Sequence, residues 1–172
     1  MKKVFCIVTA ICLILSIAGC SLLGHVSMEI NEMIELPDDE MIVALLMQLD
    51  SENFDGLNES QKVVYTAAAL EMEVLNGGTV QFLANERWDA APYVCEALEK
   101  IGAAEHLELM QQALAENEVD LNDLSDFDTE DLMAFSKLYD KYDFDAFDGA
   151  YESLPSMPEL IRNYIQAHIE DF

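Results

Sequence analysis

The chain has 172 residues, 34 of them acidic against eight basic, for a formal net charge of −26. That length predicts one domain of ordinary size with room for an appendage, and an apolar content of 52 % excludes a wholly disordered acidic chain. Direct binding to nucleic acid is all but excluded, because one polyanion condenses on another only through a basic stripe, and eight scattered Lys and Arg do not make one.

The first element is an export signal. Met1-Lys2-Lys3 is followed by an apolar run from Val4 to Ala18, then Gly19-Cys20. A basic start, a run of about 15 apolar residues and small residues before a cut have the order of a leader, and the run is short for a membrane span. Ile17-Ala18-Gly19-Cys20 resembles a bacterial lipobox. The resemblance implies a diacylglyceryl thioether on Cys20, cleavage just before it and acylation of the new amino terminus. Two or three acyl chains hold a protein at a membrane where one does not. The expected organisation is a lipoprotein signal over 1–19, an acylated N-terminus and tether over 20–36, and an all-α domain over 37–172. Location follows: the bacterial envelope, lipid-anchored on the non-cytoplasmic side. Cleavage removes Lys2, Lys3, Cys6 and Cys12, and lipidation uses Cys20, which leaves Cys95 as the one remaining thiol. No internal disulfide is then expected. Cys95 reads as a small buried hydrophobe beside Val94 and Leu98.

The tether mixes Ser21, Gly24 and Ser27 with acids and aliphatics, and a short helix fits around Met28–Ile34. From Pro37 on, the apolar period is helical throughout. A helix is predicted over Asp39–Leu49, with acids crowding its first turn. The next runs from Glu59 to Leu75, capped by Asn58 with Gln61 three residues on. Val63, Ala67, Leu70 and Val74 give it a broad apolar face, as a central helix requires. Gly77-Gly78 ends it. Thr79 restarts a short helix; others follow over Ala90–Ile101, stopped by Gly102, and Ala104–Ala115. Residues 116–128 form an acidic connection. Thr129–Tyr139 is helical, with Leu132, Phe135 and Tyr139 on one side, and a short piece covers Phe144–Leu154. The last helix opens on Ser156-Met157-Pro158-Glu159 and runs to about Ile169, burying Leu160, Ile161, Tyr164, Ile165 and His168. The expectation is a single all-α domain of six to eight helices.

The stretch Leu75-Asn76-Gly77-Gly78-Thr79-Val80-Gln81-Phe82-Leu83-Ala84-Asn85 resembles the DMP19-like family. So do Ala97-Leu98-Glu99-Lys100-Ile101-Gly102-Ala103 and the closing Tyr164-Ile165-Gln166-Ala167-His168-Ile169-Glu170-Asp171-Phe172. The likeness spans roughly residues 37–172; Thr79 departs from the aromatic or aliphatic residue more usual there, and the leader is the larger departure. The resemblance implies an all-α fold and a homodimer. For one member it also implies a surface whose carboxylates imitate DNA phosphates and occupy a transcription factor. A chain anchored outside the cytoplasm would not meet such a regulator, so the fold carries over and the partner does not.

Two regions hold the candidate chemistry. Asn76, Gly77, Gly78, Gln81 and Asn85 place three amides around a backbone break, with the single tryptophan, Trp88, close behind as a core plug or lid. They read either as a small pocket for a polar ligand or peptide backbone, or as a turn whose amides satisfy interrupted helix ends. The second region is charge. Residues 25–61 carry ten acids and no base; residues 116–152 carry 13 acids against Lys137 and Lys141. Asp120, Asp123, Asp126, Asp128, Glu130, Asp131, Asp140, Asp143, Asp145 and Asp148, interleaved with aromatics, read as an acidic face that steers a basic protein partner, or as a solvated surface over inward-facing rings. No catalytic motif occurs, and His25, His106 and His168 lack metal-ligand spacing. The acidic clusters fail the order of a calcium-binding EF-hand. No enzyme, cofactor or metal is expected. The leading reading is a tethered protein- or peptide-binding module. The alternatives are a phosphate-mimicking decoy of a basic nuclease or toxin, and a small-ligand binder or enzyme around Asn76–Trp88.

Overall fold

The helices form where the apolar period places them. The computed structural model describes residues 28–49, 54–129 and 131–172, so the leader, Cys20, the start of the tether and Glu130 lie outside the described residues. Nine α-helices occur among these residues, and no strand. They are α1 (Ile30–Met33), α2 (Asp38–Leu49), α3 (Glu59–Gly77), α4 (Thr79–Asn85), α5 (Val94–Lys100), α6 (Ala104–Glu116), α7 (Leu132–Lys141), α8 (Asp145–Tyr151) and α9 (Met157–Ala167). The fold is all-α, with short pieces that bring the helix count above the expected six to eight.

Helix α3 is the axis. The Asn58 amide donates to Gln61 Oε1 (3.1 Å) and the Gln61 amide donates to Asn58 Oδ1 (2.9 Å), so the capping box forms as its residues dictate. Val63, Val64, Ala68 and Leu70 are fully enclosed, and α3 packs against α2, α4, α5 and α9. Small residues at 67–69 let neighbours approach closely. Phe82 and Leu83 from α4 and Leu98 from α5 fill the space around them. Each such buried side chain contributes about 1.5–3 kcal/mol. Helix α6 packs on α5 and α8 as an outer layer.

Four local expectations change. Ile30, Met33 and Ile34 are buried, so the folded body takes in residues that the sequence assigned to the tether. Arg162 of α9 holds that segment: it donates to Ile34 O (2.8 Å) and Leu36 O (3.0 Å) and pairs with Asp38 (2.8 Å). Helix α7 starts at Leu132 rather than Thr129, because the Asp131 carboxylate caps the amides of Met133 and Ala134 (both 2.8 Å). Leu138 is buried and Phe135 packs half-buried against the core as expected; Leu132 is 74 % exposed and Tyr139 is also exposed. At the end of α9, His168 is exposed and stacks on Tyr164 with ring centroids 4.1 Å apart, instead of entering the core. No helix among the described residues is long and apolar enough to cross a membrane.

Candidate functional site

The break between α3 and α4 is a polar junction inside the fold. Gly78 has φ +86°, a backbone state that side chains resist. The α4 N-terminus that follows is capped from α8: Thr79 N–H donates to both oxygens of Asp148 (2.9 and 3.1 Å) and Thr79 Oγ1 donates to Asp148 Oδ1 (2.6 Å). A Cβ on Gly78 would run into that carboxylate, and one on Gly77 would run into the Gln81 side chain. Tyr139 Oη closes the junction by donating to Gly77 O (2.9 Å). The two glycines therefore admit Gln81 and Asp148, one each.

The amides of the motif have a shared destination. Gln81 Nε2 and Asn85 Nδ2 (3.0 Å) both donate to Glu73 Oε2. Glu73 is a buried carboxylate on α3. Burying a carboxylate is costly unless donors meet it, and here neutral amides do so. Sequence reading missed Glu73. The available signal was its helical spacing of three from enclosed Leu70 and four from Gly77. Asn76 departs from this group: it is exposed and lines a cavity between α2, α3 and α8. Trp88 is 68 % exposed with the Arg87 guanidinium 5.6 Å from its ring centre, so it plugs nothing in the core.

Burial pushes the Asp148 carboxyl above its ordinary range, against the pull of the Thr79 hydrogen bonds. The folded state thus favours the protonated acid. The stability this contributes is complete below the unfolded value of about 3.9 and is lost as pH rises through the folded value. Asp148→Asn keeps an acceptor for Thr79 and removes the titration. Urea unfolding from about pH 3 to pH 6 should show the variant gaining on the wild type as pH rises. Parallel curves would show that Asp148 titrates as it does in the unfolded chain.

The acidic region is stitched together by polar contacts. The Asp143 amide donates to Asn117 Oδ1 (2.6 Å), Asn117 Nδ2 donates to Asp143 O (2.6 Å), and Phe127 stacks on Tyr142 at 4.6 Å. Asp120, Asp123, Asp126, Asp128, Asp131, Asp140, Asp143 and Asp145 are exposed, whereas Asp148 is half-buried at the α4 cap. Among the described residues, the ion pairs reaching this region are Lys141–Asp126 and Arg87–Asp128. Lys141 holds the Asp126 carboxyl below the usual range, and the lysine is pushed up to about 12. Backbone and side-chain N–H groups of Asn122 lower Asp120. Most rings turn inward: Phe127, Phe144 and Phe147 are buried, and Phe135 and Tyr142 half-buried. The face is one of carboxylates with few exposed aromatic anchors.

Cys95 is half-buried, and desolvation raises its thiol away from the reactive range. No group of three His, Cys, Asp or Glu among the described residues stands where it could hold a metal ion.

No curated protein and no solved structure matches the chain. The DMP19-like protein family matches it over residues 55–168, a span that begins just before α3 and closes at the end of α9. It includes the Asn-Gly-Gly junction, the buried Glu73 and the acidic connection. The chain belongs to the DMP19-like family.

Proposed function

We propose that this chain is a lipid-anchored, non-enzymatic module of the bacterial envelope that takes a basic protein partner on its acidic face. The observation that carries the reading is the charge imbalance of residues 116–148. Asp120, Asp123, Asp140, Asp143 and Asp145 are exposed and make no ion pair among the described residues. Such a surface steers an oppositely charged protein at high rate and loses its reach as salt rises. The leader sequence Met1–Cys20 supports the anchor. The junction around Asn76–Asn85 favours no ligand, because Gln81 and Asn85 spend their amides on Glu73.

Membership in the DMP19-like family favours a second, narrower reading. In it the carboxylates imitate phosphates and the partner is a basic nuclease, toxin or other nucleic-acid-binding protein. Two experiments separate these readings from failure. Mass spectrometry of the native product should show acylated Cys20 as the first residue; an intact leader with a free thiol removes the envelope placement. Capture of native envelope proteins by the full lipidated chain should be salt-sensitive. It should fall about tenfold or more when the five aspartates above become asparagine, with the thermal melt unchanged. Unchanged capture ends the acidic-face reading. A captured protein whose nuclease activity is blocked by the wild type and freed by the variant selects the decoy.

A further inference from the structure

A cavity of about 570 Å³ opens away from the junction, walled by α2, the second half of α3, His106 of α6, Tyr151 of α8 and the turn into α9. Its size suits a small organic molecule. Ile42, Met72, Leu75, Leu154, Met157 and Pro158 make the walls apolar. The charged side chains on the lining are all carboxylates: Asp38, Asp39, Glu71 and Glu152, with no Lys or Arg. Arg162 pairs with Asp38 and reduces the charge at that edge.

Within the lining, three side chains of different helices meet. Tyr151 Oη, itself buried, donates to Glu71 Oε2 (2.9 Å). The His106 ring lies edge-on to Tyr151 at 5.3 Å. His106 is 1 % exposed, and its Nδ1 has no hydrogen-bond partner among the described residues. An unmatched ring nitrogen at that depth is a costly feature for a fold that gains nothing from it. Desolvation lowers the His106 pKa and so favours the neutral ring. Glu71 is half-buried, and that burial raises its carboxyl above the ordinary range. A cation arriving there would replace missing hydration for Glu71. An anion would meet the carboxylates of Asp38, Asp39, Glu71 and Glu152 on the lining. Among the described residues no three His, Cys, Asp or Glu gather there to hold a metal ion.

We propose that this cavity binds an organic cation, an ammonium or guanidinium group on an apolar stem, with its charged head toward Glu71 and its stem along the walls of α2, α3 and the turn into α9. The site is separate from the acidic face and does not rest on the function proposed for it. The same chemistry is offered by a free amine and by the Lys or Arg side chain of a protein.

Calorimetric titration of the full chain tests this with hexylammonium and hexylguanidinium against hexanol and hexanoate. The cations should bind about tenfold or more tightly than either control. Glu71→Gln should weaken them by about tenfold or more, since a desolvated charge pair loses one member. Leu75→Trp, at an exposed position on the lining, should block them without touching the core, and serves if Glu71→Gln fails to fold. The five-aspartate variant of the acidic face should bind the cations as the wild type does. Equal binding of hexanol, unchanged binding to Leu75→Trp, equal loss in the five-aspartate variant, or no binding at about 10 mM cation overturns the proposal. If the cations bind, N-acetyl-lysine-methylamide identifies the source: tighter binding than hexylammonium points to a protein side chain, weaker binding to a free amine.

Discussion

Gly78→Ala is expected to destabilise the fold by about 3 kcal/mol, lowering the melting temperature by roughly 6–12 °C. Two causes add. The residue sits at φ +86°, where a Cβ costs about 1–2 kcal/mol. The new methyl would also displace the Asp148 carboxylate, which accepts from the amide and hydroxyl of Thr79. Thr79 is fully buried, so its donors would find no water, and an unsatisfied buried donor costs about 1–3 kcal/mol. The partition is measurable. With Asp148→Ala in the background, the second cause is already gone, so the double variant should lose less than the sum of the singles. Strict additivity in urea denaturation would show that Asp148 gives way freely and that the backbone state alone matters.

Arg162→Ala is expected to cost about 2 kcal/mol and to act locally. The guanidinium bridges α9 to Ile34 O, Leu36 O and Asp38, a planar fork matched to acceptors at three successive places on the chain. Without it two carbonyls lose a charged donor, and the segment bearing Ile30, Met33 and Ile34 is held by apolar contact alone. Hydrogen exchange should show protection of the Ile34 and Leu36 amides falling well before that of α3. Arg162→Lys should restore little, because a point charge does not span the three acceptors. Equal exchange across the whole chain would mean that the clasp is part of the global core.

These two sites differ in how much of them a sequence shows. The Asn58–Gln61 box and the ends of α2, α3 and α6 rest on neighbours within four residues, and local pattern is enough for them; Gly77–Gly78 is legible as a helix stop, while the cap on the α4 that follows comes from Asp148. Helix α7 shows where pattern misleads. Leu132, Phe135 and Tyr139 have helical spacing, yet Asp131 captures the amides of Met133 and Ala134, the helix starts there, Leu132 and Tyr139 are exposed, and Leu138 joins Phe135 in facing the core. Its buried side is too small for periodicity to define. Asp148 was legible as an acid and illegible as a cap, because Thr79 lies 69 residues away. Glu71, His106 and Tyr151 likewise meet only through tertiary packing, and in a chain with 34 acids nothing in composition marks the few that turn inward.

The carboxylate of Glu73 bears on alignment as well as energy. Leu70 and Val74 of α3 and Phe82 and Leu83 of α4 offer greasy surfaces that would tolerate a swivel of α4 about the Gly77–Gly78 link, since oily contacts carry little positional information. Glu73 does not tolerate it: a swivel carries the Gln81 and Asn85 amides away from the carboxyl together and leaves a buried acceptor without its donors. The acid thus acts as a detent between the long α3 and the short α4, rejecting competing packings that an all-hydrocarbon seam would admit.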